Sequence, residues 1–168
     1  MAIQYDDSSS SDVGRIIQVV EGRRTAQGFI TTTSFTNIGL SATITPKSGT
    51  SKILVSFNSG IGSNNNGNRI VIRISRTGND NVYVGDAAGN RTRSSVGTVA
   101  SSNGENCANV SCVFVDSPTT TSAITYQMQG KLQSTSGTGM VNKNGEDNDN
   151  SIEGRSASSI VLMEIAAT

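Results

Sequence analysis

The sequence predicts an all-β protein, an antiparallel sandwich, jelly roll or barrel of roughly eight to ten strands. Three observations predict it. Short segments rich in Ile, Val and Thr are cut apart by runs of Gly, Ser, Asn and Thr. Several of these segments alternate apolar and polar residues with period two, the mark of a half-buried strand. None is followed by a convincing helix.

The elements follow in order. Residues 1–13 form a polar arm ending in Ser8-Ser9-Ser10-Ser11-Asp12, flexible in isolation and a natural docking element. Residues 14–168 form a single β-sandwich domain. Segment 15–20 is the first strand, and 27–35 is β-branched and polar. In 38–45, Ile38, Leu40, Ala42 and Ile44 share one face. Residues 46–51 make a turn, because Pro46 cannot continue an interior strand. Segment 52–59 points Ile53, Val55 and Phe57 inward.

Residues 60–68, rich in Gly and Asn, read as a loop. Segment 69–76 places Ile70, Ile72 and Ile74 on one face and Arg69, Val71 and Arg73 on the other. A turn at 78–81 precedes a short strand at 82–84. Residues 85–106 carry one further strand near 96–100. Segment 107–115 is apolar on both faces, as a central strand would be. Residues 123–133 form a strand; from 124 to 133 the even positions Ile124, Tyr126, Met128 and Leu132 are apolar, and the odd positions are polar. After a loop at 134–139, residues 140–142 pair briefly, 144–154 form an acidic loop, and 159–166 close the chain.

Composition narrows the function. The 168 residues are 34% hydrophobic and 4% aromatic, which makes a thin core. Homo-oligomerisation would bury more strand surface and cover sheet edges. Thirteen basic residues balance thirteen acidic ones, so there is no electrostatic case for nucleic acid. No segment approaches the length of an apolar membrane span, so no membrane insertion is expected. The N-terminus lacks the basic start and apolar stretch of a secretory signal. Cys107 and Cys112 stand at an odd separation in one strand, hence on opposite faces, and are expected not to pair.

No catalytic, cofactor or metal site is expected. The chain has no His, so a serine nucleophile lacks its usual base. Lys47 and Lys52, the candidates for a Ser-Lys pair, flank a turn. The acids Asp80, Asp86, Glu105, Asp147, Asp149 and Glu153 are scattered over loops, and no spacing selects a glycosidase pair. Asp147-Asn148-Asp149-Asn150-Ser151 resembles the start of a calcium loop, but Ile152 stands where Gly is needed. Gly60-Ile61-Gly62 follows a strand with no helix after it, so a phosphate loop lacks its context. Arg69, Arg73, Arg91 and Arg93 are the candidate contact residues. They form salt bridges with loop acids, or contact an acidic glycan or a partner protein.

One set of motifs resembles a known domain. Gly39-Leu40-Ser41-Ala42-Thr43-Ile44-Thr45-Pro46-Lys47-Ser48 followed by Ser51-Lys52-Ile53-Leu54-Val55 is similar to a domain of virion proteins of tailed bacteriophages, notably marine and cyanobacterial ones. Gly14-Arg15-Ile16-Ile17-Gln18-Val19-Val20 resembles its opening strand. Phe114-Val115-Asp116-Ser117-Pro118 with Thr121-Ser122-Ala123-Ile124-Thr125-Tyr126 resembles its central hairpin, and Ser159-Ile160-Val161-Leu162-Met163-Glu164-Ile165-Ala166 its closing strand. The resemblance implies a jelly-roll β-sandwich, a homotrimer, on the virion surface after assembly in the host cytoplasm. It implies no catalytic residue. Its partners would be copies of itself and the major capsid protein or a tail component. A short arm in place of a long shaft suits a head decoration or cement subunit, or a short knob. The alternative is a receptor-binding fibre or knob protein that recognises host surface glycan through its Gly/Asn/Ser-rich loops.

Overall fold

The computed structural model describes residues 13–65, 68–100, 106–146, 148–151 and 153–167. Nearly all of the arm thus lies outside the described residues. The described chain forms ten strands: β1 (Ile16–Arg24), β2 (Gly28–Ile30), β3 (Thr36–Ile44), β4 (Lys52–Ser63), β5 (Arg69–Arg76), β6 (Thr98–Ala100), β7 (Cys107–Asp116), β8 (Ile124–Leu132), β9 (Gly139–Val141) and β10 (Ser158–Ile165). All pairings are antiparallel, and the strands form an all-β sandwich of two sheets.

The pairing is nested. β1 pairs β10, β3 pairs β8, β4 pairs β7 and β5 pairs β6, so the chain behaves as one long ribbon rolled up. The ribbon closes through β4–β10 in one sheet and β5–β8 in the other. The first sheet runs β7, β4, β10, β1, with β9 and β2 continuing the lines of β10 and β1. The second sheet runs β3, β8, β5, β6.

Alternation decides which side chains fill the space between the sheets. Ile38, Leu40, Ala42 and Ile44 from β3 meet Ile53, Val55 and Phe57 from β4, and all are buried. Ile70, Ile72 and Ile74 of β5 and Tyr126, Met128 and Leu132 of β8 complete that layer with Ile160 and Leu162 of β10. Several buried polar side chains are hydrogen-bonded, whereas the Ser51 and Ser75 hydroxyls are buried without a partner. Asn142, at a φ of 63° that Asn tolerates, donates through Nδ2 to the carbonyls of Arg24 and Ala26. Its Oδ1 accepts from the Ser158 hydroxyl at 2.5 Å, so this one residue ties the ends of β1, β9 and β10 together.

The structure corrects four expectations. The 107–115 strand is an edge strand, not a central one, because β7 pairs only β4. Its second apolar face is also uncovered, because it lies on the outer side of the sheet: Val113 is 60% and Val115 52% exposed. The glycines at 60 and 62 do not start a loop, since β4 continues through Ser63 to pair β9. There Gly60 and Gly62 leave room for Ser156 and the Lys143 carbonyl, where a Cβ would collide. Segment 27–35 holds only three strand residues, Gly28–Ile30.

The fourth correction concerns 82–84, which is not a strand. The segment between β5 and β6 instead wraps the open side of the sandwich. Tyr83 stacks on Phe114 of the opposite sheet, with ring centroids 4.6 Å apart. The Ser95 amide donates to the Ile72 carbonyl, and its hydroxyl accepts from the Ile74 amide. These bonds satisfy the part of the β5 edge that short β6 leaves unpaired. Cys107 and Cys112 are both free and lie on opposite faces of β7.

Candidate functional site

Two surfaces of the sandwich stand out, one on the outer face of each sheet. The first is a cavity of about 730 Å³ on the outer face of the β3–β8–β5–β6 sheet. Its floor is Val71, an outward position of β5 that is nonetheless 3% exposed because the 77–97 segment arches over it. The strand register supplies the charge. Val71 lies opposite Lys131 of β8, and Gln133 follows two residues on. Arg69 comes from the start of β5, and its side chain is within 3.5 Å of the Gln133 amide oxygen.

The covering segment supplies the opposite wall with Asn90, Arg91, Thr92 and Ser94. It turns at 88–91, where the Arg91 amide donates to the Ala88 carbonyl and Gly89 adopts a φ of 56°. The bond from the Gly85 amide to the Ser94 carbonyl holds its two limbs together.

Three cations thus line one cavity, and no carboxylate lines it among the described residues. Among the described residues the ion pairs lie elsewhere, joining Arg23 to Glu21, Arg73 to Asp80 and Arg76 to Asp116, and none involves Arg69, Arg91 or Lys131. Such a site favours an anion, since a concave surface lined by one sign of charge concentrates its field.

The four arginines singled out from the sequence divide. Arg69 and Arg91 meet in the cavity. Arg73 is on the same face but already engaged: its Nε donates to Gln129 at 2.7 Å, its guanidinium lies 4.1 Å from the Phe35 ring centroid, and Asp80 is 3.2 Å away. Arg93 donates to the Gly85 carbonyl at 2.6 Å and braces the covering segment. Lys131 was not foreseen, because one polar residue among many on the wet face of β8 carries no signal until the register is known.

The second surface is the outer face of the β7–β4–β10–β1 sheet. Here the cross-strand register aligns Val19, Met163, Leu54 and Val115 in one row across all four strands. The next row is Glu21, Val161, Ser56 and Val113, and the row before the apolar one is Ile16, Ile165 and Lys52, so charged and polar positions border the apolar row on both sides. Ile16 is 56% and Val19 58% exposed. Arg23, Ser159, Asn58 and Ser111 form a polar row that ends the patch.

The acidic loop offers less. Asp147 and Ile152 lie outside the described residues. Among the described residues Glu153 accepts from the Asn148 amide, and no group of three His, Cys, Asp or Glu is placed to hold a metal ion. No helix is long and apolar enough to cross a membrane. No protein-family model and no curated protein matches the chain.

Proposed function

We propose that this chain is a non-enzymatic structural protein of a bacteriophage virion surface, decorating or cementing the head or forming a short knob, and that it works as a homotrimer. The apolar outer face of the β7–β4–β10–β1 sheet carries the assembly part of this reading. One unbroken apolar row crosses all four strands, and Val19, Val113 and Val115 on this face are each more than half exposed, which favours a covering partner. Copies of the same chain suit it, because a chain of zero formal net charge does not repel its copies. The nested pairing supports a jelly-roll description, in which two Greek keys roll up one ribbon. The virion part rests on the four ordered motifs from Gly14 to Ala166.

The copy number per purified virion, by quantitative mass spectrometry against the major capsid protein, tests the assignment. A simple fraction of the capsid copy number supports decoration or cementing. A few trimers per particle supports a knob and moves host recognition to first place. Absence from particles refutes the virion reading.

A second reading, recognition of host surface glycan, is favoured by the cationic cavity on the opposite face. The assembly patch and the cavity lie on different sheets, so a subunit docked through one still presents the other.

A further inference from the structure

We infer that the cavity between Arg69, Arg91 and Lys131 binds an acidic saccharide, one that carries sulfate or carboxylate groups. The inference rests on the glycan-recognition reading and specifies its ligand.

The charge is the first ground. The cavity gathers two guanidiniums and one ammonium, and no carboxylate lines it among the described residues. Arg73, one strand position further along β5, shows the contrast: Asp80 stands 3.2 Å from it and it is kept out of the cavity. A planar guanidinium fork recognises the paired oxygens of sulfate or carboxylate.

The remaining lining is the second ground. Asn90, Thr92, Ser94 and Gln133 bring amides and hydroxyls to the same walls. These groups both donate and accept, as the hydroxyls of a sugar ring require. Among the described residues no aromatic side chain lines the cavity, so it lacks the usual stacking platform for a nucleobase. A volume of about 730 Å³ lies within the range of small-molecule sites and exceeds what a single inorganic anion fills.

The way the walls are built is the third ground. Two walls are strands in fixed register, and the third is a segment fastened by Ser95 to β5 and by Tyr83 to Phe114. The backbone that carries the polar groups is therefore held in place before the ligand arrives, which lowers the ordering cost of binding.

The test is calorimetric titration of the intact chain with four probes: a sulfated oligosaccharide, an oligouronate, a neutral oligosaccharide of equal length, and inorganic phosphate. Single-stranded DNA is a fifth arm. The expected result is saturable binding of the sulfated or uronate probe, weakened by salt. Arg69→Ala and Arg91→Ala should each weaken it about tenfold, the loss of one charge-assisted hydrogen bond. Arg73→Ala should leave it unchanged, and circular dichroism should show all variants folded. Equal binding of the neutral probe would overturn the inference while leaving glycan recognition standing. Absence of binding to every saccharide would overturn both. Phosphate or DNA binding at the strength of the acidic saccharide, or binding indifferent to Arg69 and Arg91, would also overturn the inference.

Discussion

The Tyr126 hydroxyl donates to Asp116 Oδ2 at 2.6 Å and joins the two sheets across the end of the core. Tyr126 belongs to β8 and is fully buried, whereas Asp116 ends β7 in the opposite sheet. Arg76 of β5 adds an ion pair, with Nε 3.1 Å from the same carboxylate oxygen. The Tyr126–Asp116 bond satisfies a phenol that would otherwise be buried without a partner. Tyr126→Phe keeps the ring and removes the bond, leaving Asp116 with one partner fewer. It should destabilise the fold by about 1.5–3 kcal/mol, as loss of a hydrogen bond to a charged group does. Urea unfolding followed by fluorescence or circular dichroism measures it.

The same pair predicts an alkaline limit to stability. Burial, then the hydrogen bond to Asp116 and its charge, push the Tyr126 phenol above its ordinary value, and Arg76 only partly opposes them. Burial also pushes the Cys112 thiol up from 9.0 to about 11. Both folded values are raised, so the unfolded chain loses these protons first as pH rises. The stability they contribute is complete below about pH 9 for the thiol and about pH 10 for the phenol. It falls as pH climbs through the raised values. Melting temperature should therefore drop steeply between pH 9 and 11, and Cys112→Ala should flatten the first part of that drop. A melting temperature constant from pH 8 to 11 would contradict it.

Gly39 holds a bulge in β3, where the register to β8 shifts between Asn37 and Ser41. Its φ is 80°, and a Cβ there would run into the Arg24 guanidinium. Arg24 in turn donates to the Gln27 carbonyl and so fixes the turn from β1 to β2. Gly39→Ala should cost about 1–3 kcal/mol from backbone strain, with the collision added. Thermal denaturation reads it, and Gly78→Ala is the comparison, since Gly78 shares a positive φ of 77° with open space around it.

Much of this architecture was legible because period two survives in a thin core. Ile38 to Ile44 and Ile124 to Leu132 alternate so cleanly that their buried faces follow from spacing. The 107–115 strand misled because apolar residues on both faces have two causes: two covering layers, or one layer and an interface. Val113 and Val115 have no second layer over them, and the proposed assembly assigns them to the second. Leu54, Val161 and Met163 carried the same signal on outward positions, but only the register shows that Leu54 and Met163 share one row and that Val161 lies in the next. For the cavity, Arg69 and Arg91 were legible as cations that either pair loop acids or contact a partner, and the sequence did not separate them from Arg73 and Arg93. Lys131 and the covering role of residues 77–97 depend on contacts between positions far apart in the chain.

The assembly patch gives the last prediction. Val113→Glu and Val19→Lys place charges on exposed outward positions, so the subunit fold should change by no more than about 0.5 kcal/mol. Between copies the same charges would be buried and unpaired, which an interface does not tolerate. Sedimentation velocity on the purified chain is the most direct measurement. The account predicts a species of three times the 17.4 kDa chain mass for the natural sequence, and a folded species of single mass for either variant. A natural chain that stays at single mass across micromolar concentrations, or variants that still assemble, would contradict it.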